Sequence, residues 1–187
     1  MNLADVRLLV TDVDGVMTDD TFEYGDGGQK RLRFNNADGQ GILRLREQCG
    51  VETVFLTQEP NADIERRAKA LGCTLLVGGW HKLAALRVYL LPRWIPLSHV
   101  AYIGNDENDR EVLAAVGFHF VPRDAVIIPS LRDSTVDPWD VLHRLGGHGC
   151  VREVCEMIIA SKPLPVAHSA SSGTLGSLHY LDGTQTL

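Results

Sequence analysis

The sequence predicts an α/β protein built on a Rossmann-like, doubly wound parallel sheet, with a β-hairpin following its first strand. Three observations carry this. Short apolar runs alternate with helical stretches of about ten residues, as βαβ units require. The helical stretches close on Gly50, Gly72, Pro92 and Gly117, residues that end helices for backbone reasons. The first run, residues 6–11, is almost continuously apolar, as expected of a strand covered on both faces.

Along the chain, residues 21–34 ("TFEYGDGGQKRLRF") place Gly25, Asp26, Gly27 and Gly28 between alternating residues, which predicts the hairpin. Asp38 is a candidate cap for a helix running to Cys49, with Ile42, Leu43 and Leu45 on its apolar side. Strands are expected at 51–57, 74–77, 99–103 and 118–121. Helices are expected at 61–71, 82–91, 108–116 and 150–159. Residues 1–161 then form one domain. The segment 162–187 is rich in Ser, Gly and Pro and reads as a tail without regular structure of its own. Trp80, Trp94 and Trp139 read as packing residues.

The totals narrow the class. With 187 residues, 44% of them hydrophobic, one sizeable core can form. A net charge of −6 and the lack of a Lys/Arg run argue against nucleic acid as a partner. No run reaches the roughly 18 apolar residues of a membrane helix, and the first residues lack the basic start and apolar run of a signal peptide. Cys49, Cys73, Cys150 and Cys155 have no zinc-type spacing and apolar neighbours, so reduced thiols and a cytoplasmic location are expected.

The chemistry gathers at strand ends. "LLVTDVDGVMTDD" runs an apolar strand into Asp12, Asp14, Asp19 and Asp20. Like charges so close cost stability unless a cation sits among them. In a doubly wound sheet ligands bind beyond the carboxyl ends of the strands, where Thr57 and "GNDEND" (residues 104–109) also fall, with Lys82 opening the next helix. An ionised Asp12 is able to attack an electrophile, and Asp14, past the turn at Gly15, to do general acid–base work. Thr57 offers a hydroxyl and Lys82 a positive charge for phosphoryl oxygens. Asn105, Asp106 and Asp109 supply the hard oxygens that Mg2+ prefers.

"DVDGVMTD", Thr57, Lys82 and "GNDEND" resemble, in order, the four motifs of the haloacid dehalogenase-like phosphatases. The hairpin, "FNNADGQGI", "RRAKALG" and "GGHGCVREVCEMI" are similar to the small branch that lacks a large cap domain. This branch contains the 3-deoxy-octulosonate 8-phosphate and 3-deoxy-nonulosonate (sialic-acid-type) 9-phosphate phosphatases and the phosphatase-like domain of acylneuraminate cytidylyltransferases. The resemblance implies an aspartyl-phosphate on Asp12, acid–base catalysis by Asp14, and phosphoryl contacts from Thr57 and Lys82. It further implies Mg2+ held by Asp12, the carbonyl of Asp14 and the fourth motif, through Asp109 and either Asn105 or Asp106, with Glu59 and Arg67 binding the sugar. It also implies a homotetramer in which the hairpin of one subunit covers a neighbour's site, and a tail that either is flexible or folds toward such a site. The chain departs from the octulosonate pattern at "TQE" (57–59), at Ala70 and at Asn105. Lys30, Arg31 and Arg33 either keep the hairpin edge soluble or face a neighbour's anionic site. The expected activity is hydrolysis of a phosphorylated acidic higher sugar. The competing reading is a catalytically silent oligomerisation domain, which predicts lost motif acids.

Overall fold

The computed structural model describes residues 2–127 and 141–163. Five parallel strands form the sheet: β1 (Leu8–Thr11), β4 (Glu52–Thr57), β5 (Thr74–Val77), β6 (Val100–Ile103) and β7 (Phe118–Phe120), in the order β5-β4-β1-β6-β7. β1 is central, with Val10 opposite Val54 of β4 on one side and Tyr102 of β6 on the other. The chain steps outward from β1 to β4 and β5, then crosses back to β6. The loops leaving β1 and β6 therefore diverge at a switch point, where such sheets open a crevice. Phe118–Phe120 is shorter than the expected fifth strand, and Val121 makes only a single bridge to Val141.

Strand residues alternate between two cores. Leu9, Phe55, Ala101 and Ile103 face α1 (Asn36–Cys49), α2 (Ala62–Leu71) and the last helix, α5 (Cys150–Ser161). Leu8, Val10, Val54 and Tyr102 face α3 (Lys82–Leu90) and α4 (Arg110–Ala115). Period-two burial on both faces is what the continuous apolar runs require.

The helix ends follow local chemistry, with two corrections. α1 begins earlier than expected, because Asn35 is extended and its side chain accepts from Ala37 N. Asp38 does not cap its own helix. It is buried and accepts from Arg152 N at 2.8 Å, satisfying the first turn of α5 instead. α1 and α5 approach closely at Gly41, where an added Cβ would stand 3.0 Å from the Cα of Arg152. The helix expected at 108–116 starts as a 3-10 turn, Glu107–Asp109, tightened by a reciprocal cap between Asp106 and Asp109. α3 likewise ends in a 3-10 turn, Leu91–Arg93, which accommodates Pro92.

The hairpin pairs β2 (Glu23–Tyr24) with β3 (Lys30–Arg31) and is exposed on both faces. It is pinned to α2: Arg31 Nε and Leu32 N both donate to Asp63 Oδ2 at 3.1 Å, and Asn61 Nδ2 donates to the carbonyl of Lys30. Trp80 and Trp94 do not pack as expected, being 70% and 86% exposed. Trp80 leaves the sheet with the loop after β5, and Trp94 sits in a left-handed turn after α3. Trp139 and the segment 164–187 lie outside the described residues. Among the described residues no helix is long and apolar enough to cross a membrane. All four cysteines are free, Cys150 and Cys155 fully buried.

Candidate active site

The site grows from the tip of β1. Asp12 N continues the parallel ladder by donating to the Ile103 carbonyl at 2.9 Å, which fixes the carboxylate beyond the strand. Its Oδ1 accepts from Val13 N at 2.7 Å and faces Lys82 Nζ at 2.9 Å. The chain then turns at Gly15, whose φ of +76° favours glycine. A Cβ there would also collide with the amide of Asn105. Thr18 Oγ1 closes the turn, accepting from Gly15 N and donating to the Val13 carbonyl.

Lys82 is the first residue of α3 and is 1% exposed. A cation at a helix N-terminus is disfavoured by about 0.3–1 kcal/mol. Breaking a buried ion pair costs about 3–5 kcal/mol, so the carboxylates around it decide the matter. Besides Asp12, Nζ contacts Asp109 Oδ1 at 2.6 Å. Asp109 is fully buried and every contact it makes is internal: Tyr102 Oη also donates to Oδ1, while Asn105 N and Asp106 N donate to Oδ2. Burial pushes the Asp12 carboxyl well above its ordinary range, and Asp109 adds to this against the opposing pull of Lys82. Burial alone would lower Lys82, but Asp12 and Asp109 together hold it above its ordinary value.

Above this buried layer lies an open pocket. Its wall carries the carboxylates of Asp12, Asp14, Asp20, Glu59 and Asp106, the amides of Gln58, Asn105 and Asn108, and one cation, Lys30. Lys30 faces its own chain's site: Nζ lies 3.3 Å from Asp14 Oδ1 and 5.0 Å from the Phe22 ring centroid. Asp20 sits at φ +63°, a left-handed conformation that Asp tolerates through its short polar side chain. Burial and the neighbouring Asp14 raise its carboxyl.

The sequence-predicted residues divide into three groups. Asp12, Asp14, Glu59, Asn105 and Asp106 share the pocket wall. Lys82, Thr57 and Asp109 lie beneath it, fully or almost fully buried. The Thr57 hydroxyl donates to the Glu59 carbonyl at 3.2 Å. Asp109, expected as a metal ligand, has its oxygens committed to Lys82, Tyr102 and two backbone amides, so it anchors the lysine instead. Arg67 is not brought to the pocket. Its Nη2 donates to the Asn35 carbonyl, and its guanidinium lies over the Phe34 ring, 5.9 Å from the centroid. His81, at the N-cap of α3, is exposed and away from the wall.

The residues fit a divalent cation. The Asn105 amide end stands 3.0 Å from the Asp14 carbonyl and 3.2 Å from Asp12 Oδ2. With its nitrogen there, the amide donates to both; with its oxygen there, three acceptors converge, the arrangement that a bound cation would draw together. The set contains one carboxylate, that of Asp12, beside a backbone carbonyl and an amide. That accords with the finding that no group of three or more His, Cys, Asp or Glu among the described residues is arranged to hold a metal. Oxygen-only donors of this kind suit Mg2+.

A parallel sheet carrying two carboxylates at its central strand tip, braced by a buried lysine and facing an acidic loop after β6, defines a haloacid dehalogenase-like phosphatase. No family model matches the chain. The chain is 35% identical over 162 residues to the 3-deoxy-D-manno-octulosonate 8-phosphate phosphatase KdsC of Yersinia pestis, covering 85% of this chain and 82% of that protein. It is 34% identical over 161 residues to the enzyme of the same name from Escherichia coli K12, covering 84% and 81%. The crystal structure of the Moraxella catarrhalis phosphatase, in complex with magnesium, phosphate and KDO, superposes with a TM-score of 0.78 at 31% identity, covering 86% of this chain and 89% of that one. The chain belongs to the KdsC family of 3-deoxy-D-manno-octulosonate 8-phosphate phosphatases.

Replacing Lys82 by Met should leave Asp12 and Asp109 buried without a counter-ion. Urea unfolding of the metal-free protein at neutral pH should then show a loss of about 3–5 kcal/mol. The deficit should shrink on acidification. A carboxyl whose folded-state pKa is raised binds its proton more tightly when folded, so stability is gained as pH falls through that raised value. Unchanged unfolding would contradict the bracing role.

Proposed function

We propose that the protein hydrolyses the phosphate monoester of an acidic higher sugar, of the octulosonate 8-phosphate or nonulosonate 9-phosphate type. It is a Mg2+-dependent phosphatase of its family. The observation that carries the reading is the pair Asp12 and Asp14 on one pocket wall, with Asp12 held between Lys82 and the oxygen cluster at Asn105. A silent domain is expected to have lost motif acids, whereas Asp12, Asp14 and Asp109 are in place and only Asn105 departs from the pattern.

The chemistry proceeds in two transfers. A carboxylate oxygen of Asp12 attacks phosphorus, the bond to the sugar oxygen breaks, and Asp14 delivers a proton to the departing oxygen. Asp14 then takes a proton from water, whose oxygen attacks the phosphorus of the acyl phosphate. The Asp12–phosphoryl bond breaks and inorganic phosphate leaves. Lys82 stays charged and fixes the orientation of Asp12 throughout. Thr57 serves phosphoryl oxygen by releasing the Glu59 carbonyl. Asp12, the Asp14 carbonyl and Asn105 would hold Mg2+, with Asp106 beside them on the wall. When bound, the ion neutralises the negative charge of the phosphoryl group. Lys30 parts from Asp14 as substrate enters, leaving that carboxyl free for proton transfer. Glu59 contacts sugar hydroxyls, and Arg67 takes the sugar carboxylate once released from Asn35.

The activity is tested by phosphate release from octulosonate 8-phosphate, nonulosonate 9-phosphates and hexose phosphates, with Mg2+ or EDTA. Turnover of one acidic higher sugar, abolished by EDTA and reduced at least a thousandfold in Asp12→Asn, is expected on the scale of losing a nucleophile. Equal turnover of hexose phosphates, or activity surviving in Asp12→Asn, would overturn the reading.

The working unit is proposed to be a homotetramer in which hairpins cover neighbouring sites, located in the cytoplasm. The hairpin presents Phe22 and Tyr24 as an exposed edge-to-face ring pair, centroids 5.3 Å apart, an apolar surface that a neighbour would bury. The four free thiols suit a reducing compartment. Light scattering on the eluting protein should give four times the chain mass, and Tyr24→Asp should lower it. A monomer would contradict the assembly.

A further inference from the structure

Gln58 and Asn108 face the pocket, and neither has a part in the chemistry above. They are linked to it through one chain of polar contacts whose direction is fixed at its buried end. The Lys82 ammonium has only donors. Asn108 therefore turns its Oδ1 toward Nζ, at 3.4 Å. Its Nδ2 then points the other way and donates to Gln58 Oε1 at 2.8 Å. With Oε1 so engaged, Gln58 is left with Nε2, for which no hydrogen-bond partner is found among the described residues.

We propose that Gln58 is a substrate-binding residue: its Nε2 donates to an oxygen of the bound sugar phosphate, in an orientation set by Lys82 through Asn108. This rests on the phosphatase reading. The pocket wall explains the need. Five of its side chains are carboxylates, while a phosphorylated acidic sugar is itself rich in oxygens. Side-chain donors on the wall come from Lys30 and the amides. The Asn108 donor is spent on Gln58, and Asn105 belongs to the oxygen cluster. Gln58 thus supplies a neutral N–H donor where a sixth acid would repel the substrate. A glutamate there would keep the bond from Asn108, lose the donor and add a negative charge to the wall, whereas a leucine loses the donor alone.

The same chain predicts the effect of changing Asn108 alone. An aspartate at 108 accepts from Lys82 and has nothing to donate to Gln58 Oε1. The Gln58 amide then reverses, gives its N–H to the new carboxylate and withdraws it from the substrate. Gln58 becomes ineffective without being altered.

The test is steady-state kinetics with the sugar phosphate that the wild-type enzyme turns over. Gln58→Leu and Gln58→Glu should each raise KM about tenfold, the loss of one hydrogen bond of ordinary strength, with kcat within about threefold. In Gln58→Leu, which adds no charge, the apparent affinity for Mg2+ and the melting temperature should stay unchanged. Asn108→Asp should raise KM by a similar factor. The double variant Gln58→Leu/Asn108→Asp should be no worse than either single one, since both remove the same donor. A parallel rise in the inhibition constant of inorganic phosphate assigns the accepting oxygen to the phosphoryl group; an unchanged constant assigns it to the sugar. KM within twofold of wild type in Gln58→Leu overturns the proposal, as does a rise confined to Gln58→Glu, which would be charge repulsion. A fall in kcat at constant KM overturns it too, showing Gln58 to be only a brace for Lys82. Wild-type protein inactive on every sugar phosphate would instead sink the phosphatase reading itself.

Discussion

The Lys82 ammonium, buried between Asp12 and Asp109, is the contact on which the site depends. It joins three separate parts of the chain: the tip of the central strand, the first residue of the helix that crosses the sheet, and the loop after β6. Asp109 in turn holds that loop through the backbone amides of Asn105 and Asp106, so one ammonium sets the position of the nucleophile and of the wall opposite it. Its effect on charge is equally direct. Two carboxylates and one ammonium leave the buried layer one charge short of neutral before Asp14 is counted. That deficit accounts for an oxygen cluster on the surface suited to a dication.

The fold makes the arrangement possible at modest cost. A parallel sheet wound in both directions from β1 sends its first and fourth major loops apart at the same end, and the two apolar cores hold the strand tips rigid. The hairpin is a different kind of element. It has two residues per strand, both faces are exposed, and it is tied to the body through Asp63 and Asn61. Its attachment lets Lys30 reach Asp14 while leaving Phe22 and Tyr24 uncovered.

Much of this was legible in the sequence because it depends on local chemistry. An apolar run ending in Asp12 and Asp14 marks a strand tip that needs a cation. Gly50 and Gly72 mark helix ends through their left-handed backbone, and the span 74–77 appears as expected. The misreadings arise where tertiary contacts choose among residues of equal local merit. Asn35 and Asp38 are both good caps; the extended backbone at Asn35 and the approach of α5 to Asp38 decide between them. Asp109 has the chemistry of a metal ligand, yet its burial under Lys82 gives it an anchoring role. Tyr102 is an apolar strand residue in sequence and a hydrogen-bond donor in structure. Gln58 stood out only as part of the departure at 57–59 and Asn108 only as the start of a helix, because the direction of an amide is set by its neighbours.

Every step of the chemistry passes through Asp12 as nucleophile. The direct measurement is mass spectrometry of peptides from enzyme quenched in acid during turnover with Mg2+. A phosphoryl group is expected on the peptide containing Asp12, located on that side chain and missing from enzyme quenched without substrate. Phosphate release at full rate with no phosphorylated Asp12 at any quench time, and with the oxygen of water entering phosphate in the first chemical step, would contradict that role.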